Sequence, residues 1–167
     1  MARKGRSFSV GLLADSASAD PYQRSAVEQG FAPAREWDVA QLPPMPPDIS
    51  SDEARRQINA GFDVVDPRTR RIRFDNTIIE HWVKKQHYDE KQVNGRLTYL
   101  NVAKKTVSAP AEIWDQGTQR AYVQLFIKPT GGKRGCVVFV DNNHVAFTYF
   151  PKDTNALEKV RKGIKIG

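Results

Sequence analysis

Ile78-Ile79-Glu80-His81-Trp82-Val83-Lys84-Lys85 is the stretch on which the fold turns, together with the later run Val145-Ala146-Phe147-Thr148-Tyr149-Phe150-Pro151. In the first, Ile78, Ile79, Trp82 and Val83 fall at i, i+1, i+4 and i+5, a single apolar stripe at helical period. The helix is predicted from Thr77 to about Tyr88, capped by Asp75 or Asn76. At about 100° per residue, His81, Lys84, Lys85 and Tyr88 share the face beside that stripe. His87 falls on the other flank, so the two histidines do not meet in one site if the helix stays regular.

Downstream, Asn94-Gly95 reads as the end of this segment. Leu97 to about Val107 reads as a second helix, with Leu100, Ala103 and Val107 on one side and Pro110 closing it. Glu112-Ile113-Trp114 and a turn at Gly117 come next. Ala121, Val123, Leu125 and Ile127 then alternate with Tyr122, Gln124, Phe126 and Lys128, the period of a strand. A basic loop, Gly131-Gly132-Lys133-Arg134-Gly135, leads to Val137–Asp141, which pairs with Val145–Phe150 across Asn142-Asn143 as a hairpin. A last helix is expected from Thr154 to about Arg161.

Upstream, Phe62–Val65 and Arg70–Phe74 flank the turn Asp66-Pro67-Arg68-Thr69. A short helix, Asp52–Asn59, starts at Ser50 or Ser51 and stops at Gly61. Pro43-Pro44-Met45-Pro46-Pro47 imposes an extended segment, read as a linker or as an arm on the domain surface. Ser25–Gly30 is read as a short helix. The expected fold class is α+β: N-terminal helices packed on a small antiparallel sheet of about four strands, with an extended Pro-rich N-terminal arm. Residues 1–61 form the arm region and 62–167 the compact domain.

Composition narrows the function classes. Of the 167 residues 40% are hydrophobic and 27% charged, which suits a folded domain. No apolar run is long enough to span a bilayer, and Arg3, Lys4 and Arg6 precede too short an apolar patch for a secretory signal. The single cysteine, Cys136, excludes an internal disulfide or a Cys-based zinc site, and it reads as a core residue. The net charge of +7 divides into −1 over residues 1–61 and +8 over 62–167. A positive field of that size attracts polyanions.

RNA is one polyanion that side chains alone can cut. A base takes the 2′-hydroxyl proton, an acid protonates the leaving 5′-oxygen, and cations stabilise the charged phosphorane. His81, beside Lys84 and Lys85, is the first candidate base, because the lysines favour neutral imidazole. His87 is the second histidine, and His144 sits at a hairpin turn. Arg96, which follows a glycine where the chain turns, suits a phosphate. Lys128, Lys133 and Arg134 are further phosphate contacts by charge. Thr148 and Tyr149 point to opposite faces of their strand, so one faces substrate and the other packs. Glu112 is a base or a solvated charge; Trp82 and Trp114 are core. No metal-protease, P-loop, nucleophile-elbow or dinucleotide motif is present.

A series of blocks carries a resemblance over about residues 62–152. They are Arg71-Ile72-Arg73-Phe74, the His81 helix, Arg96-Leu97-Thr98-Tyr99-Leu100, Ser108-Ala109-Pro110-Ala111-Glu112-Ile113-Trp114, Tyr122-Val123-Gln124-Leu125-Phe126 and Thr148-Tyr149-Phe150-Pro151. Together they resemble the phage-associated branch of the Barnase-EndoU-colicin E5/D-RelE-like (BECR-fold) nucleases. The resemblance implies helices followed by a four-stranded antiparallel sheet, an active site on the sheet face and metal-independent RNA cleavage with no cofactor. By position, His81 is the helix histidine, Arg96 the basic residue and Thr148 the last-strand hydroxyl. The insertion Gln86–Asn94 leaves His81 and His87 as alternatives for the histidine.

The resulting expectation is an endoribonuclease of a phage, prophage or toxin, leaving 2′,3′-cyclic phosphate and 5′-hydroxyl ends. Its partners would be RNA (tRNA included), a cognate acidic immunity or inhibitor protein, and a phage-head or secretion-system parent protein, with no membrane. It would act in the bacterial cytoplasm of a host or target cell. Two other readings stand beside it: a non-enzymatic head or packaging module binding nucleic acid or capsid, and an ADP-ribosyltransferase-like toxin.

Overall fold

The computed structural model describes residues 20–167. The segment with Arg3, Lys4 and Arg6 lies outside the described residues. Helix α1, Ser51–Ala60, starts where the Ser50 side chain accepts from the Glu53 amide at 3.1 Å. It ends at Gly61, whose φ of 75° a side chain would strain. The hairpin β1 (Phe62–Val65) and β2 (Arg71–Phe74) follows. Then come α2 (Thr77–Lys84), α3 (Glu90–Leu97) and α4 (Leu100–Ser108). The main sheet is built from β3 (Glu112–Asp115), β4 (Gln119–Ile127), β5 (Lys133–Asp141), β6 (Ala146–Lys152) and β7 (Ile164–Lys165), with α5 (Thr154–Glu158) between the last two. It is antiparallel throughout in the order β6-β5-β4-β3-β7, so β6 is an edge strand.

Both sheet faces are covered, which is why Ala121–Phe126 are all buried despite the alternating pattern. Tyr122, Phe126, Cys136, Val138 and Tyr149 join Ile58, Trp82, Leu97, Leu100 and Val107 in the main core. Ala121, Val123, Val137 and Leu157 pack with Ala26 and Ala34, with Trp37 against them. Ala26, Ala34 and Trp37 thus pack on the sheet, Ala54 and Ile58 of α1 join the main core, and residue 61 is the α1 cap. Ile127 donates its amide to the Pro43 carbonyl at 3.0 Å and accepts from the Met45 amide at 2.8 Å. Arg161 is fully buried, gripped by both Glu112 oxygens at 2.7 and 2.8 Å and by Glu158 at 2.9 Å, with its guanidinium over Trp37.

The element boundaries differ from the sequence expectation in physically clear ways. The His81 helix stops at Lys84, because His87 adopts φ 56° and the Tyr88 amide turns back to the Trp82 carbonyl at 3.0 Å. A new helix then begins at Asp89, whose carboxylate and the Gln92 side chain form a capping box. Asn94-Gly95 therefore lies inside α3, and the helix expected over Leu97–Val107 forms over Leu100–Ser108, with Leu97 closing α3 and Thr98-Tyr99 between the two. Lys133-Arg134-Gly135 belongs to β5, in register with Ile127, Phe126 and Leu125. The final helix ends at Glu158, which frees Ile164 and Lys165 to reach the edge of β3 as a fifth strand. Ser25–Gly30 is a turn, its ends held by Ser25 and Glu28.

Candidate active site

The edge strand β6 organises the candidate residues. A bulge between β5 and β6 pairs Phe139 with Thr148 and Val140 with Ala146, leaving Phe147 without a partner in the ladder. Bulges re-aim side chains, and the Phe147 ring lies 5.1 Å from the His81 ring, tilted by 59°. The next residue, Thr148, accepts from the Trp82 indole N–H at 2.8 Å and donates to Gln86 Oε1 at 3.2 Å. Its neighbour, Tyr149, accepts at its carbonyl from Arg96 Nη1 at 3.0 Å. Three consecutive residues thus engage the histidine of α2, the bend after α2 and the arginine of α3.

His81 is half-buried, and its shallow groove is lined by Thr77, Glu80, Lys84 and Lys85. Burial first, and then the Lys85 charge, hold its pKa below the ordinary imidazole value. The imidazole is therefore neutral at pH 7, the form that accepts a proton. The broken helix changes the rest of the expected face. Tyr88 leaves the His81 flank and lies 6.3 Å from the Trp82 ring, while His87 is exposed at the left-handed bend.

Arg96 is held on three sides. Its guanidinium carbon sits 5.3 Å from the Tyr88 centroid and 4.9 Å from that of Phe150, and Nη1 bonds to the Tyr149 carbonyl. Among the described residues no carboxylate forms a salt bridge with it. Its groove, lined also by Tyr88, Gln92, Gly95, Tyr99 and Pro151, is separate from that of His81. His81 meets β6 at Phe147 and Arg96 meets it at Phe150, three residues or about 10 Å apart along the strand. Arg134 joins the Arg96 end: its guanidinium is 5.9 Å from the Tyr99 ring.

The other candidates fall elsewhere or play other parts. Tyr149 and Thr148 are both buried, although one of them was expected to face substrate. Tyr149 meets Trp82 edge-on at 5.0 Å, and burial raises its hydroxyl pKa well above the ordinary value. Lys128 and Lys133 flank the β4–β5 turn, and Lys133 Nζ donates to the Arg35 carbonyl at 3.3 Å. Lys133 is six residues along β5 from Phe139, the partner of Thr148, or about 20 Å. Glu112, one candidate base, is committed to buried Arg161 and to the Trp114 indole N–H at 2.9 Å. The His144 carbonyl accepts from the Arg73 amide at the hairpin turn. Burial pushes the Cys136 thiol up to about 12, so it is an inert core residue.

Sequence reasoning missed Gln86, Phe147 and Tyr99. Gln86 carries no signal of its own, and Phe147 is recruited only by the bulge. Tyr99 precedes α4 at the helix break, which the apolar pattern runs across. Among the described residues, no group of three or more His, Cys, Asp or Glu side chains is placed to hold a metal ion, and no helix is long and apolar enough to cross a membrane.

A family model described as phage-Barnase-EndoU-ColicinE5/D-RelE like nuclease2 matches residues 52–166. No curated protein and no solved structure gives a match. The α+β architecture with its antiparallel sheet agrees with the family match, and this chain belongs to that family of phage-associated nucleases.

Proposed function

We propose that this nuclease is an endoribonuclease that needs no metal, and that His81 is its general base. Neutral His81 takes the proton of a ribose 2′-hydroxyl. The 2′-oxygen attacks the adjacent phosphorus, and the bond from phosphorus to the 5′-oxygen breaks. His87, exposed at the bend one residue after Gln86, gives its proton to that 5′-oxygen. The products are a 2′,3′-cyclic phosphate and a 5′-hydroxyl. Arg96 holds phosphate oxygens, Lys84 and Lys85 favour the charged phosphorane, and Arg134 supports the strand beyond.

The observation that carries this reading is the run Phe147-Thr148-Tyr149, which anchors the groups bearing His81, Gln86 and Arg96 to one edge of the sheet. Thr148 holds the bend rather than touching substrate, since its hydroxyl is buried and already both donates and accepts. The substrate is RNA, tRNA included. The basic domain suits an acidic inhibitor protein, and a phage-head or secretion-system parent would deliver the domain to a bacterial cytoplasm as a toxin.

The test is RNA cleavage by wild type, His81→Ala and His87→Ala at matched folding. Removal of a general base or acid costs about 10²–10⁴-fold in rate. Full cleavage by His81→Ala would defeat the assignment, and intact RNA with the folded wild type would favour a module that binds nucleic acid without cutting it.

A further inference from the structure

Gly95 occupies a position that neither conformation nor packing reserves for glycine. It lies inside α3 with an ordinary helical backbone, and a Cβ built there meets nothing within 4 Å. Glycine within a helix is destabilising relative to alanine. The remaining physical reason for its presence is close approach of something from outside. Gly95 lies in the groove of about 410 Å³ whose other walls are Tyr88, Gln92, Arg96, Tyr99 and Pro151.

The chemistry of those walls identifies the occupant. Two tyrosine rings and a proline offer flat apolar surface, Gln92 is exposed and, with its amide oxygen bonded to the Asp89 N–H, offers its amide NH2 as a donor, and Arg96 brings a positive charge. Arg134 extends the charge past the Tyr99 ring, and Lys152 Nζ lies 5.0 Å from the Phe150 ring that also meets Arg96. Alternating aromatic and cationic groups beside an open floor suit a base that stacks and a backbone that is neutralised. A paired base, stacked within a duplex, does not enter a groove of this kind.

We infer that this groove is a nucleobase subsite, taking one unpaired base of single-stranded RNA over Gly95 while Arg96 and Arg134 contact the flanking phosphates. The assignment deepens the ribonuclease reading and rests on it for the identity of the polymer. It makes unpaired RNA the substrate class, with one nucleotide anchored about 10 Å along β6 from the His81 groove.

The experiment measures fluorescence anisotropy of labelled 2′-O-methyl-RNA decamers, which the 2′-hydroxyl mechanism does not cut. Strands are offered single-stranded, as duplex, and single-stranded with central abasic positions. Gly95→Ala and Tyr99→Ala should each raise the Kd for the single strand about tenfold, and the abasic and duplex forms should bind the wild type correspondingly weakly. Gly95→Ala should at the same time melt higher than wild type, a gain that separates lost binding from lost folding. Wild-type affinity in both variants, or equal binding of abasic and intact strands, would overturn the subsite. Cleavage of ordinary RNA is read in parallel: a chain that cuts RNA but shows no base dependence loses only this assignment. One that shows the base dependence but never cuts loses only the ribonuclease.

Discussion

Replacing Thr148 with valine removes the hydroxyl and keeps the shape. The Trp82 indole N–H, buried and bonded at 2.8 Å, then faces a methyl group, and the bond that Thr148 donates to Gln86 at 3.2 Å is lost. An orphaned buried donor costs about 1–3 kcal/mol, while Gln86 is half-buried and recovers a partner from water. At about 2–4 °C per kcal/mol for a chain of this size, Tm should fall by roughly 2–12 °C. Thr148→Ser keeps both bonds and loses one methyl, so it should lie between wild type and the valine variant. Because the lost bond frees the bend that carries His87, Thr148→Val should also lower kcat, and Thr148→Ser should largely restore it. Thermal melts and initial rates of RNA cleavage on the three proteins decide the matter. A valine variant as stable as wild type yet as inactive as His81→Ala would refute the bridge and make the hydroxyl a group that meets substrate.

Two further outcomes follow from the charges. Glu112→Gln weakens the clamp on a fully buried Arg161, so stability should drop by about 3 kcal/mol or more, with the pH profile of cleavage unchanged; a lost acid limb instead would give Glu112 a catalytic part as a base. Since burial and Lys85 lower the folded pKa of His81, the acid limb of kcat/KM should fall below pH 6.5, and Lys85→Gln should move it upward. The same sign applies to stability. The unfolded chain takes up the proton first, so as pH falls from about 6.5 through the folded pKa, this histidine subtracts stability. An acid limb above 6.5 in the wild type would contradict the placement.

Much of the fold was legible because local patterns agreed with the final packing. Ile78, Ile79 and Trp82 of the apolar stripe, the Ser50 cap, the Asp66–Thr69 turn and the Asn142-Asn143 hairpin stand as read, whereas Val83, read into the same stripe, is exposed because α2 ends one residue later. The break after Lys84 was hidden because its cause is not a proline or a run of polar residues. It arises from a left-handed His87 and from a capping box that starts at Asp89, inside a stretch read as an insertion. The covered second sheet face was hidden for a similar reason: the part of the arm that covers it is polar and turn-rich, and packs there through Ala26, Ala34 and Trp37, with Phe31 edge-on to Trp114.

At the site, residue type pointed to His81 and Arg96, which the structure anchors to one strand. Residue type alone did not convey that the Tyr149 ring lies in the core or that Lys128 and Lys133 flank the β4–β5 turn. The groups that join the parts, Gln86 through its amide and Phe147 through a bulge, depend on backbone geometry that no spacing rule describes.

The most direct measurement is of the ends left on RNA cut in the presence of EDTA. The account predicts 2′,3′-cyclic phosphate and 5′-hydroxyl ends from the wild type and none from His81→Ala. Intact RNA in both samples with the wild type folded, or cleavage that leaves 3′-hydroxyl and 5′-phosphate ends, would contradict it.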